Sequence, residues 1–196
     1  MFVTKEKIIL VDCDGVLLDW EYSFDGWMNR HGYKILNESR EYNIKFKYDI
    51  GNKKALQLIR MFNESAQIRK LTPFRDAIKY VRKLHTDHGY VFHVISSLSD
   101  DEYSQHLRTK NLRELFGDTV FERYVYLDCD ISKKQALLKY SNSNCWWIED
   151  NIDNVIIGEN IGLNSLIMSH NYNVDCPKNI ERVQNWKDIY RKIIGN

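Results

Sequence analysis

Ile8-Ile9-Leu10-Val11-Asp12-Cys13-Asp14-Gly15-Val16-Leu17 is the stretch on which the reading of this chain turns. An aliphatic run passes without interruption into two carboxylates two positions apart, and a glycine follows. Such a run, too short for a comfortable helix, reads as a strand buried on both faces, as in a parallel sheet. In open α/β sheets the chemistry sits beyond the carboxyl ends of the strands, which is where Asp12 and Asp14 emerge. If the chain stays extended through Asp14, the two-residue period points both carboxylates to one side. There they repel unless a cation or a shared proton intervenes. The plainer alternative is an acidic turn, because Asp and Gly are ordinary turn formers.

A chain of 196 residues has room for one domain with a proper core and a small insertion. With Lys+Arg 28 against Asp+Glu 27, the near-zero charge gives no ground for an electrostatic binder of extended nucleic acid or a polybasic membrane protein. Hydrophobic residues at 43% and aromatics at 13% exclude disorder. No apolar segment approaches membrane-spanning length and the N-terminus lacks a signal-peptide pattern. The expectation is a cytoplasmic protein (host cytoplasm if viral) with no membrane partner. Cys13, Cys129, Cys145 and Cys176 are scattered with no CxxC pair, which argues against zinc and against a disulfide framework. Asn37-Glu38-Ser39 and Asn63-Glu64-Ser65 fit the glycosylation pattern, which matters only in a secreted protein.

From about Asp19 to Thr72 the chain changes character. Trp20, Tyr22, Phe24, Trp27, Tyr33, Tyr42, Phe46 and Tyr48 are interleaved with charges, and Ala55, Leu56, Ile59 and Phe62 recur at helical spacing. The region reads as a small helical insertion over the end of the first strand. Its aromatics either grip a flat ligand or form the insertion's own core. Ala77, Tyr80, Val81 and Leu84 then predict a helix from Phe74 or Arg75 to Gly89. His85 and His88 suit its negative end better than they suit a metal. Tyr90–Ile95 reads as a second buried strand, running into Ser96-Ser97, with a helix over 101–116 and a third strand over 124–127. Ser132-Lys133-Lys134-Gln135 reads as a capping box opening a helix through Tyr140. Two lysines at the positive end of a helix are tolerable on a solvated surface, and are also what is expected when a lysine must reach an anion. Cys145–Ile148 is a fourth strand, discharging into Glu149-Asp150-Asn151, and Ser165–Met168 a fifth. Trp186, Ile189, Tyr190 and Ile193 mark a final helix. Strands alternating with helices predict an α/β fold with a doubly wound parallel sheet.

Three strand ends therefore bring polar groups that can converge: Asp12/Asp14, Ser96/Ser97 and Glu149/Asp150, with Lys133 at a helix start. Converging carboxylates with an open face suit magnesium, which keeps waters or phosphate oxygens as its remaining ligands. A carboxylate beside such an ion can attack phosphorus while a second shuttles protons. A serine and a lysine hold the remaining phosphoryl charge.

In order and spacing, Asp12-Cys13-Asp14-Gly15-Val16, the strand ending in Ser96, the lysine and Glu149-Asp150 resemble the four motifs of the haloacid dehalogenase superfamily. The resemblance spans nearly the whole chain. It implies a Rossmann-like core over 1–18 and 73–196 and a small helical cap over 19–72. It also implies Asp12 as a nucleophile forming an aspartyl-phosphate and Asp14 as general acid/base. Ser96 and Ser97 would hold the phosphoryl oxygens, and Lys133, with Lys134 as the second choice, would neutralise charge. Magnesium would be held by Asp12, the backbone carbonyl of Asp14, and Asp150, with help from Glu149. The fourth motif departs from the usual two aspartates, and Asn154 stands where a later aspartate is also found. Dehalogenases of the superfamily lack the second aspartate, so Asp14 points to phosphate chemistry.

A narrower resemblance, to the 5'(3')-deoxyribonucleotidases and their phage and bacterial relatives, rests on Asp12 to Glu21, Leu71-Thr72-Pro73-Phe74-Arg75-Asp76-Ala77, Ser169–Asn173 and Arg182–Ile189. It implies a 5'-nucleotidase acting on a small phosphomonoester, a nucleoside or deoxynucleoside monophosphate. A phosphatase for a polynucleotide end or a sugar phosphate, a phosphomutase, and a catalytically silent binding protein of the same fold are the alternatives. The oligomeric state is left open, a homodimer included.

Overall fold

The computed structural model describes residues 7–36, 43–74 and 76–195. Asn37-Glu38-Ser39, Tyr42 and Arg75 lie outside the described residues. In chain order the elements are β1 (Lys7–Val11), α1 (Trp20–Arg30), α2 (Ile44–Tyr48), α3 (Asn52–Asn63), a 3-10 turn (Ala66–Lys70), α4 (Ala77–His88) and β2 (Tyr90–Ser97). There follow α5 (Glu102–Phe116), β3 (Phe121–Leu127), α6 (Lys134–Leu137), β4 (Trp146–Glu149), α7 (Ile152–Asn160), β5 (Asn164–Met168), β6 (Glu181–Val183) and α8 (Trp186–Ile194). The strands form one parallel sheet in the order β3-β2-β1-β4-β5-β6. This is the doubly wound α/β architecture expected from the alternation of apolar runs and helical periods.

The order explains why the first apolar run dominates. β1 is central, hydrogen-bonded to β2 on one side and β4 on the other. Its side chains divide between the two faces of the sheet, as a two-residue period requires. Ile9 and Val11 join the large cluster with Phe92, Val94, Leu166 and Trp186. Leu10 turns the other way, onto Ile95, Leu137 and Trp147. The chain winds outward from β1 to β3 and then crosses back to β4, so the direction of winding reverses between β1 and β4. A crevice opens there at the carboxyl ends of the strands.

Three boundaries differ from the sequence expectation, each for a tertiary reason. α4 starts at Ala77, later than Phe74 or Arg75, because the preceding residues are stitched to the loop after β1. Leu18 bridges to Pro73, and the Phe74 N–H donates to Leu17 O at 3.0 Å. Asp76 does not cap its own helix; its carboxylate accepts the N–H groups of Trp186 (3.2 Å) and Lys187 (2.9 Å) at the start of α8. β3 begins at Phe121, and β6 has no counterpart in the sequence reading. Both are edge strands with charged residues facing water, so neither carries an unbroken apolar run. The capping box expected at Ser132 is not formed, because Lys133 is the N-cap of α6 and its side chain makes no capping bond. Ser132 Oγ accepts the Lys134 N–H at 3.2 Å, α6 is only four residues long, and a 3-10 turn continues it to Tyr140.

The insertion leaves and returns at one point, with the Asp19 N–H donating to Thr72 O at 2.9 Å. Phe24, Trp27 and Phe62 form its core, while Tyr22 and Phe46 are exposed. Phe24 stacks on Trp20 (ring centroids 4.5 Å apart) and meets Phe62 edge-on at 5.3 Å, while Trp27 packs against both Phe24 and Phe62. Phe24 and Trp27 are buried there and do not reach the crevice.

The buried Trp186 ties the end of the chain to its beginning. Its indole N–H donates to Val16 O at 2.8 Å. Trp186→Phe keeps an aromatic ring but strands that carbonyl, and is expected to cost about 1–3 kcal/mol in urea unfolding. A loss below about 0.5 kcal/mol would show that the bond carries nothing beyond ordinary surface variation.

Candidate active site

β1 hands its register to the loop that follows: the Asp12 N–H still donates to Ile148 O at 3.0 Å. The chain then turns. Leu17 and Leu18 N–H groups both donate to Cys13 O at 2.8 Å, and Gly15 takes φ +74°. Both carboxylates face the same cavity, but each takes its own cation. Gly15 is required on two counts: its positive φ disfavours a side chain, and a Cβ there would lie 2.2 Å from Asp150 Oδ2.

Asp12 is buried and held at both oxygens. Oδ1 accepts the Cys13 N–H at 2.7 Å, and Oδ2 sits 2.9 Å from Lys133 Nζ. Lys133 is itself buried and also donates to Glu149 Oε2 at 2.8 Å. Burial acts to weaken the Lys133 ammonium, but the Asp12 and Glu149 carboxylates outweigh it and hold its pKa above the ordinary lysine value. Lys134 is exposed, so Lys133 is the lysine that reaches the strand ends. Glu149 spends its other oxygen on the N–H groups of Asp150 (3.1 Å) and Asn151 (3.0 Å). It anchors the lysine and the turn after β4.

Carboxylate oxygens of Asp12, Glu149 and Asp150 all lie within 4.8 Å of one another. Burial, with the Asp12 charge added, pushes Asp150 up to about 6. Glu149 is raised well above the ordinary range by burial, against the opposing pull of Lys133. Asp150 Oδ2 accepts the Tyr172 hydroxyl, whereas Oδ1 is buried with no partner among the described residues. A buried acidic cluster with one ammonium and an unpartnered carboxylate oxygen fits a hard divalent cation such as magnesium. Asp14, expected to offer such an ion its backbone carbonyl, keeps its carboxylate out of the cluster. Its carboxylate is gripped by the fully buried Arg108 of α5, at 2.6 Å and 3.2 Å. Burial pushes Asp14 up to about 6 even against that guanidinium. Cys13, between the two aspartates, is pushed by burial up to about 12, which makes it a neutral apolar filler and no nucleophile.

A cavity of about 500 Å³ lies between these strand ends and the insertion. Asp12, Asp14, Lys133 and Asp150 form its floor, together with Ser97 and Asn154. Trp20, Asn43, Ile44, Lys47, Asn52, Leu56 and Ile59 face them from the insertion. Ser97 lines this space and Ser96 does not; the Ser96 hydroxyl is buried, with no partner among the described residues. Trp20 is the aromatic of the first helix that reaches the cavity, its indole N–H fixed on Asn63 Oδ1 at 2.9 Å. Asn63 in turn donates to Leu98 O at 2.9 Å, which joins the insertion to the loop after β2.

Sequence reasoning missed Arg108 and did not assign a role to Tyr172. The signal for Arg108 was present. Ser104, Leu107, Arg108, Asn111 and Leu112 recur at helical spacing and form the buried face of α5, so an arginine within that stripe needs a buried anion. Tyr172 had no such signal, because its contact with Asp150 crosses between two loops.

No family model matches the chain. Over 200 residues it is 27% identical to the uncharacterized 32.4 kDa protein in the Gp30-rIII intergenic region of Enterobacteria phage T4, spanning 95% of this chain and 69% of that protein. Its fold matches a haloacid dehalogenase-like family hydrolase from Streptococcus pneumoniae, with a TM-score of 0.66 and 13% identity over 96% of this chain and 98% of that one. It also matches the D,D-heptose 1.7-bisphosphate phosphatase from B. bronchiseptica complexed with magnesium and phosphate, with a TM-score of 0.60 and 10% identity over 96% and 98% of the two chains. The fold is that of the haloacid dehalogenases. No helix among the described residues is long and apolar enough to cross a membrane.

The raised carboxyls make cation binding compete with protons. In the metal-free protein the folded state holds protons on Asp150 that the unfolded chain, near the ordinary value of 3.8, has released. Stability therefore falls as pH rises from about 4 to about 6, and a cation restores it only above that window. Magnesium at a hundredfold excess over its Kd is expected to raise the melting temperature on the order of 5 °C at pH 7.5, and much less at pH 5. Equal shifts at the two pH values would place the bound ion elsewhere.

Proposed function

We propose that this chain is a magnesium-dependent phosphomonoesterase working through an aspartyl-phosphate, and within that class a 5'-nucleotidase acting on nucleoside or deoxynucleoside monophosphates. The observation that carries the reading is Asp12. It is a buried carboxylate on the cavity floor, fixed by Lys133 and the Cys13 N–H, and part of an acidic cluster with an unpartnered oxygen.

Asp12, the Asp14 backbone carbonyl and Asp150 would hold the ion, and magnesium when bound would neutralise charge between carboxylates and phosphoryl oxygens. An Asp12 oxygen attacks phosphorus, the bond from phosphorus to the ester oxygen breaks, and Asp14 gives its proton to the departing alcohol. A pKa near 6 suits Asp14 to that exchange, since the group is neither permanently charged nor permanently protonated at neutral pH. Asp14 then takes a proton from water as the water attacks phosphorus, and release of phosphate restores the Asp12 carboxylate. Lys133 balances charge on Asp12, and Ser97, from the cavity wall, offers a hydroxyl to a phosphoryl oxygen. Arg108 keeps the Asp14 carboxylate aimed from behind.

The nucleotidase assignment rests on the resemblance of Asp12 to Glu21 and of the tail around His170–Asn173, and it is supported by the enclosed volume. About 500 Å³ suits a mononucleotide, with an apolar wall of Ile44, Leu56 and Ile59 opposite the carboxylates. The insertion is the cap that closes over the leaving group.

Phosphate release from ribo- and deoxyribonucleoside monophosphates, sugar phosphates and a 3'-phosphorylated oligonucleotide, with and without magnesium, tests the reading. Magnesium-dependent release concentrated on the monophosphates is expected. Release confined to the other substrates would keep the chemistry and discard the nucleotidase assignment. Asp12→Asn is expected to lower turnover on the order of a thousandfold or more while the fold stays intact or gains stability. A merely twofold loss would remove Asp12 from the nucleophile's place.

A further inference from the structure

The short segment after β5 touches both carboxylate-bearing loops, and the chemistry proposed above gives it no task. Asn173 is buried, and its Nδ2 donates to Asp150 O and to Met168 O, each at 2.8 Å, while its Oδ1 accepts the His170 N–H at 2.9 Å. The His170 ring lies flat on the Tyr172 ring, centroids 4.8 Å apart and 6° from parallel. His170 Nε2 is 2.7 Å from Gly15 O, which can only accept, so that nitrogen carries the proton. The Tyr172 hydroxyl donates to Asp150 Oδ2. One segment thus spans the loop after β1 and the loop after β4, between which the acidic cluster is shared.

From this arrangement we infer that Tyr172 is the positioning residue of the cation site. Its phenol pins Oδ2 of Asp150, so that Oδ1 is the oxygen presented to the ion. This inference rests on the cation reading above. The physical case has two independent parts. First, the two oxygens of one buried carboxylate are treated differently: Oδ2 has a strong neutral donor, while Oδ1 is left without a partner among the described residues. A ligand oxygen needs its lone pairs directed at the ion, and a donor on the opposite oxygen fixes the rotation of the carboxylate without consuming them. Second, the pair is packed against the loop after β1. A Cβ on Gly15 would stand 2.2 Å from Asp150 Oδ2 and 3.1 Å from the Tyr172 hydroxyl, so the bare glycine backbone, the carboxylate and the phenol converge at one point. His170 stacks on the ring that carries the phenol, and Asn173 holds the backbone of the residue being aimed.

Titration calorimetry with magnesium chloride alone, on the full chain, tests the inference without any substrate. Tyr172→Phe keeps the stacked ring and removes only the donor. Its magnesium Kd is expected to rise about 10–100-fold, the usual effect of losing an outer-shell partner. Its melting temperature in chelator is expected to stay within about 2 °C of the wild type, the scale of surface changes. Tyr103→Phe, on the exposed face of α5, is expected to change neither value. A Kd within twofold of a wild type that does bind magnesium would overturn the positioning role and leave the cation site standing. A wild type that binds no magnesium would overturn the cation reading and this inference together. Should Tyr172→Phe fail to fold, His170→Phe decides by the same titration, since it keeps a stacked ring and loses the bond to Gly15. There a raised Kd supports the pinned segment, and an unchanged one overturns it.

Discussion

One ammonium between two buried carboxylates is the interaction on which the rest of this molecule depends. Lys133 cannot leave Asp12 and Glu149 without stranding charges in a low-dielectric interior, and an uncompensated buried charge costs several kcal/mol. The pair of contacts therefore locks the start of α6 to the ends of β1 and β4. The lock is incomplete in charge: Asp150 adds a further carboxylate, and its phenol partner is neutral. Excess negative charge that the fold cannot relieve by itself is the physical reason this crevice would favour a divalent cation.

The sheet decides where that imbalance can exist. In a parallel sheet covered on both faces, only the strand ends are open, and adjacent ends diverge where the winding reverses. β1 and β4 meet that condition, and the surrounding structure is recruited to hold their loops. Trp186 reaches back from the final helix to Val16, Arg108 reaches from α5 to Asp14, and His170 reaches from beyond β5 to Gly15. The insertion closes the remaining side. Its aromatic core packs on itself, and its link through Asn63 to Leu98 seats it over the crevice.

Glu149 shows how a departure from a familiar motif can be structural in origin. An aspartate at this position is one methylene shorter. The glutamate spans from its own backbone turn, where it accepts two N–H groups, to Lys133 on another element. The extra length lets this carboxylate act as an anchor, and Asp150 next to it keeps the unpartnered oxygen.

The sequence alone determined the class of fold and the strand ends at which polar groups gather. Apolar runs at Ile8–Val11, Tyr90–Ile95, Cys145–Ile148 and Ser165–Met168, alternating with helical periods, specify a buried parallel sheet, and polar residues at the ends of such runs emerge together. Those signals are local, so they survive in one chain read by itself. Edge strands β3 and β6 were partly or wholly illegible, because a strand that faces water needs no apolar run. What only the tertiary structure decided was partnership. The spacing of Asp12 and Asp14 predicts carboxylates on one side, but not their partners, Lys133 for one and Arg108 for the other. The aromatics of the first helix read as ligand grips or as core with equal ease, and packing sent Phe24 and Trp27 inward. Ser96 and Ser97 are indistinguishable in composition, and only the position of β2 against the cavity separates them. In each case the deciding energy is the burial or pairing of a group by residues far away along the chain, which no local pattern encodes.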